Sequence, residues 1–233
     1  MDASHPPRYS GLLGLAATVL MMAAVAAVFL YAPDDNNPQM GGAWPWLQRI
    51  FYFHVSAALS AGLAYFLVFL GSLLYLISRR DQWDRFAGVS AELGVMFSLF
   101  VLVSGPLWAK PVWGVFWRWE PRLTTMLVTF TTYVVYLMVR SYAEPGERSQ
   151  RFAAVFGIVA FVNVPLVHLS VHMWSAAQQL HPPGIELGPA MSHTKYLCYA
   201  AFGCLFLHLM RLRLSQERLA ARLRQFLRQA GAG

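Results

Sequence analysis

Charge placement constrains this chain more than any motif does. Its charged side chains stand in clusters, and uncharged stretches run between them. Twenty-five residues separate Arg8 from Asp34, 29 separate Arg49 from Arg79, and the stretch from Arg85 to Lys110 is interrupted only by Glu92. Seventeen lie between Arg122 and Arg140, and 34 follow Arg151 before Glu186. A helix crosses a bilayer with roughly 20 apolar residues, and hydrocarbon offers no partner to an unpaired N–H or C=O, so such stretches must be helical. The chain therefore reads as an all-α integral membrane protein, a bundle of six transmembrane helices. The spans fall at about residues 10–32, 50–78, 86–108, 123–140, 152–174 and 193–210. The first run exceeds the ~7–15 apolar residues of a secretory signal and reads as a retained helix. The fourth is short enough that its flanking groups must snorkel to the interface.

Composition excludes the common alternatives. Only 12% of residues are charged, against about 25% in soluble domains, which removes a typical soluble enzyme. The net charge of +7 does not indicate nucleic acid, because the basic residues sit at the edges of apolar runs and in the C-terminal segment, where they set membrane orientation. Six spans put both termini on one side. Thirteen Lys and Arg fall there (Arg8, Arg79, Arg80, Arg85, Arg140, Arg148, Arg151 and the six arginines from Arg211 to Arg228), against five opposite: Arg49, Lys110, Arg118, Arg122 and Lys195. Both termini are accordingly expected in the cytoplasm, with a basic tail at 211–233. In that tail Leu212, Leu219, Leu223 and Phe226 form one helical stripe beside arginines. The pattern suits an amphipathic helix on an anionic leaflet and equally a solvated extension of the sixth helix. Segments 33–49, 109–122 and roughly 175–192 face outward.

The second of these carries the chemistry. It runs from Trp108 through Trp113, Phe116, Trp117, Arg118, Trp119 and Glu120 to Arg122. A belt of interfacial tryptophans accounts for some of these rings, but not for rings alternating with arginines and a carboxylate in a Gly- and Pro-containing loop. Such a strip offers flat π-surfaces and forked cations for carboxylates. Histidines gather on the same face: His54 at the outer end of the second span, His168 and His172 one turn apart near the end of the fifth, and His181 in the third outer loop. Any one of these is more simply a hydrogen-bonded packing residue. Together with aromatic walls and arginines they suit a planar ligand with a central metal and carboxylates at its edge, which is haem. Cys198 and Cys204 form no Cys-x-x-Cys-His pattern and read as packing residues, so any haem is held without covalent attachment.

The segment Trp113-Gly-Val-Phe-Trp-Arg-Trp-Glu-Pro-Arg-Leu-Thr124 resembles the tryptophan-rich "WWD" signature of haem-handling proteins. With Ser104-Gly-Pro-Leu-Trp-Ala-Lys-Pro111 before it, the match is to the CcmC family of system I cytochrome c maturation. Arg49-Ile-Phe-Tyr-Phe-His54-Val-Ser-Ala-Ala58 resembles that family's first histidine segment, and Asn163-Val-Pro-Leu-Val-His168-Leu-Ser-Val-His-Met-Trp174 the segment before its second. The resemblance covers about residues 10–212. It implies a multi-pass protein of the bacterial inner membrane that binds haem b non-covalently at the periplasmic surface. It also implies delivery of that haem to the chaperone CcmE, in a complex with CcmA, CcmB and CcmD of an ABC transporter.

His54 matches the first axial ligand of the haem iron. For the second, an ungapped count lands on Gln178, whereas an insertion of three gives His181, the preferred assignment, with His168 and His172 as alternatives. The strip at Trp108, Trp113, Phe116, Trp117, Arg118, Trp119, Glu120 and Arg122 is implied to be the haem platform and chaperone dock. The sequence departs from the signature at Phe116, where the family has tryptophan, at Glu120 for aspartate and at Pro121 for alanine.

Other functions compete. A b-type electron-transfer cytochrome needs axial pairs at two depths, and the inner half offers only His208; another WWD-type haem-handling protein would share the strip. A solute permease would show broken, polar helices at the midplane, for which Glu92 alone is thin support. No phosphate-binding Gly-x-x-x-x-Gly-Lys loop occurs, and no nucleophile or carboxylate arrangement reads as a catalytic centre. A non-enzyme is expected.

Overall fold

The computed structural model describes residues 9–34, 45–144, 146–173, 181 and 186–230. Among them there is no strand, and six helical segments are long and apolar enough to cross a membrane. In chain order the helices are α1 (Tyr9–Ala26), which continues as a π-helix (Ala27–Tyr31), then α2 (Gln48–Ser78), α3 (Asp81–Trp113), α4 (Pro121–Tyr142), α5 (Glu147–Phe161), α6 (Asn163–Met173) and α7 (Pro189–Ala230). They alternate in direction, α5 and α6 together making one span. The start of α2 therefore meets the end of α3, through His54 and Ser104, and at the other end of the bundle the start of α3 meets the end of α4, through Asp84 and Arg140.

Helix α2 is central, packing along α3, α5 and α7. Small residues permit the approach of α2 and α3, as membrane helices require where no water drives them together. A Cβ at Gly71 would lie 3.2 Å from the Ala87 backbone nitrogen, and one at Gly94 would lie 2.5 Å from Tyr65 Cε1. Tyr65 cannot yield, because it is buried, bonds Ser98 Oγ at 2.8 Å and stacks on Tyr133 with centroids 3.8 Å apart. Gly94→Ala should accordingly cost about 1–3 kcal/mol through overpacking. Denaturant titration of the detergent-solubilised protein measures it, and a loss below about 0.5 kcal/mol would show that the tyrosine pair can move.

Two ion pairs tie the end opposite the histidines. Arg140 donates to both carboxylate oxygens of Asp84, at 2.5 and 2.9 Å, and Gly88 leaves room for the guanidinium, since a Cβ there would lie 3.0 Å from Arg140 Nη2. Arg213 donates to both oxygens of Glu92, at 2.7 and 2.8 Å. Glu92 thus pairs within the bundle.

Three helix ends differ from the sequence-based reading. Helix α3 does not stop near residue 108 but passes Pro106 and Pro111 to Trp113, so Trp108 and Trp113 are helical and the loop expected at 109–122 shortens to 114–120. Its end is set by Gly114, whose φ of +76° gives the left-handed cap that glycine adopts without strain. The fifth span breaks at Val162: Pro165 has no N–H for the Phe161 carbonyl, and Asn163 Nδ2 turns instead to Thr125 O at 3.0 Å and Thr129 Oγ at 2.6 Å on α4. Helix α7 runs without interruption through the expected tail to Ala230, its Leu219, Leu223 and Phe226 exposed. The segment at 175–192, expected to face outward, is described at His181 and from Glu186 on, and Trp174 and Gln178 lie outside the described residues.

Candidate functional site

A cavity of about 530 Å³ opens where α2, α3, α4, α6 and α7 converge, within the 300–1,000 Å³ typical of small-molecule sites. Its wall is largely apolar and includes Ala58, Leu59, Gly62, Met126, Val164 and Val167. His54, His168, His181, Trp108, Trp113, Arg122 and Lys195 also line it. One cavity thus gathers residues far apart in the chain, His54 and Lys195 being 141 positions apart.

His54 is fixed by a hydrogen bond between its Nδ1 and Ser104 Oγ, 2.8 Å apart, and a Cβ at the adjacent Gly105 would stand 3.3 Å from its Cε1. His181 is fixed by Glu120, whose carboxylate contacts its Nδ1 and is 2% exposed. Glu120 occupies the position just before α4, with Pro121 at the first helical residue, where a missing N–H costs nothing. The longer carboxylate that replaces the signature's aspartate therefore contacts the loop histidine. Trp113 meets the His181 ring edge-on at 5.4 Å and Trp108 at 4.8 Å, walling that side of the cavity. Both histidines are held through Nδ1, and no hydrogen bond to either Nε2 is made among the described residues.

The strip divides in two. Trp108, Trp113 and Arg122 line the cavity, whereas Phe116, Trp117, Arg118 and Trp119 lie outside it. Trp119 is 75% and Phe116 57% exposed; Trp117 stands edge-on to Trp119 at 5.7 Å, and Lys110 covers the Phe116 ring at 5.3 Å. Phe116, Arg118 and Trp119 form an exposed aromatic and cationic surface rather than a cavity wall, with Trp117 half-buried beneath them and its Nε1 enclosed. Of the two α6 histidines, His168 reaches the cavity, and His172 is exposed and does not. Lys195 and Ser104 are additions. Lys195 registers in the sequence only as a charge, and Ser104 only as the start of a matched segment, because side-chain partners 50 residues apart leave no periodic trace.

The donor set fits haem. Two imidazoles with free Nε2 atoms suit the axial positions of an iron held by a porphyrin, apolar and indole walls suit its faces, and Arg122 and Lys195 suit its propionates.

The family model described as heme exporter protein C matches residues 6–229. A heme exporter protein C of Paracoccus denitrificans is 32% identical over 184 residues, covering 74% of this chain and 76% of the relative. That of Escherichia coli K12 is 29% identical over 181 residues, with 75% and 71% covered. A putative cytochrome c biosynthesis ccmC-like mitochondrial protein of Marchantia polymorpha is 32% identical over 160 residues, 66% of each chain, so this chain spans just under two thirds of that relative's length.

Proposed function

This chain belongs to the heme exporter protein C family, and from that premise we propose that it binds haem b non-covalently between His54 and His181 and delivers it for cytochrome c maturation. It is a multi-pass membrane protein with a role in haem handling. The site lies on the periplasmic side of a bacterial inner membrane, both termini and the arginine-rich end of α7 being cytoplasmic, in agreement with the thirteen-to-five distribution of basic residues. The recipient is the haem chaperone CcmE, met at the exposed surface of Phe116, Arg118 and Trp119 that Trp117 supports, and the ABC-transporter subunits CcmA and CcmB with CcmD complete the assembly. The protein acts as a carrier and not as an enzyme. Arg122 holds a propionate, Trp108 and Trp113 cover the ring, and Glu120 orients His181.

The observation that carries this reading is the pair of imidazoles, each anchored through Nδ1, that share one apolar cavity with Arg122. Purified protein should bring down haem that acidified acetone extracts completely. His181→Ala should change the iron's ligation in the absorption and EPR spectra, while His172→Ala, outside the cavity, should not. A spectrum unchanged by His181→Ala but altered by His168→Ala would move the second ligand to α6. Protein that stays colourless when haem is supplied would sink the reading altogether.

A further inference from the structure

We infer that Ser104 is a positioning residue that fixes the tautomer of His54 and thereby decides which ring nitrogen is offered to iron. The inference rests on the haem reading for its consequence, while the tautomer is argued from the two short contacts of one hydroxyl. A serine hydroxyl has one proton and two acceptor sites. Ser104 Oγ lies 2.8 Å from Phe100 O and 2.8 Å from His54 Nδ1, with Val101 O further off at 3.4 Å. A carbonyl oxygen has no proton to give, so the 2.8 Å contact between Phe100 O and Ser104 Oγ is a hydrogen bond only when the hydroxyl proton points to α3's own backbone. The oxygen can then only accept from His54, which places the imidazole proton on Nδ1 and the lone pair on Nε2. Gly105, the next residue, keeps the space beside Cε1 that the ring needs for this orientation.

This makes the two histidines unequal. His181 is backed by a buried carboxylate and His54 by a neutral hydroxyl already engaged elsewhere. Outer partners of this kind set ligand basicity as well as orientation, so the His54 nitrogen is the weaker donor of the two. Neither Ser104 nor Glu120 lines the cavity, and either can be altered without removing an imidazole.

The test has one arm that needs no haem. In full-length, haem-free protein labelled with ¹⁵N at histidine, the His54 resonances, assigned by their loss in His54→Ala, should report Nδ1–H in the wild type. Ser104→Ala should shift them toward the Nε2–H form. In the second arm, haem titration should show Ser104→Ala weakening binding about 10-fold or more, within the 10–100-fold range for outer-shell changes. Ser104→Thr, which restores the hydroxyl, should recover most of it. A wild-type signal showing Nε2–H overturns the proposal, and so does a Ser104→Ala loss that threonine does not restore, since that marks packing rather than the hydrogen bond. If Ser104→Ala does not fold, the wild-type tautomer still decides. Failure of the wild type to bind haem, with Nδ1–H observed, would overturn the functional reading and leave the tautomer assignment standing.

Discussion

His54→Ala should turn a six-coordinate, low-spin haem into a species lacking one axial bond, with affinity lowered on the order of 100-fold or more, beyond the ~10–100-fold typical of an outer-shell change. The side chain removed borders an existing cavity, so its loss enlarges the space at the iron without collapsing the helices around it. Added imidazole should enter that space and restore the low-spin spectrum, which a merely unfolded variant would not permit. Changes on the exposed surface should act on a different step. Trp119→Ala and Arg118→Ala leave both imidazoles in place, so the spectrum should persist while transfer to the chaperone declines. Arg122→Ala should weaken retention with ligation intact. A His54→Ala protein that keeps a two-histidine spectrum would remove His54 from the site.

Arg140→Ala should cost about 3–5 kcal/mol of stability, the range for breaking a buried ion pair by removing one partner. Asp84 is 8% exposed and bonded by the guanidinium through both oxygens, so the single variant leaves a largely buried charge without its partner. The double variant Asp84→Ala/Arg140→Ala removes the stranded charge as well. It should recover much of the loss, as expected when both members of such a pair are replaced together. Unfolding in mixed detergent with a denaturing surfactant measures all three proteins on one scale. A single-variant loss below about 1 kcal/mol, the value of an exposed pair, would mean that the pair is solvated.

The spans were legible because hydrocarbon leaves a backbone only one option, and uncharged runs announce where it applies. Helix ends were less so. Pro106 and Pro111 read as loop formers, yet α3 continues through both because the helix is packed on α2 and α4, and the stop is made by Gly114. The break at Val162 carried a signal in Pro165 three residues on, which the length of the uncharged run obscured. At the site, residue types announced themselves and partners did not. His54 and His181 were recognisable as candidates, and both line one cavity, with His168. The glutamate that contacts His181 lies 61 residues away, and the serine that contacts His54 lies 50 away. Those distances are bridged by packing of whole helices, for which a single sequence holds no local pattern. The division of the tryptophan strip into cavity wall and exposed surface likewise depends on where α3 ends.

The unbroken course of α7 constrains how this chain can vary. Lys195 at the cavity and Arg213 on Glu92 are eighteen residues apart, which at 3.6 residues per turn is five whole turns, so both cations project from one face of a single rod about 27 Å apart along it. A helix has phase as well as length. One residue gained or lost between them would rotate everything beyond it by about 100° and turn either Lys195 from the cavity or Arg213 from its carboxylate. Side chains along this stretch can drift individually, but the count of residues cannot: insertions and deletions are tolerable only outside it, past Arg213 or before Lys195.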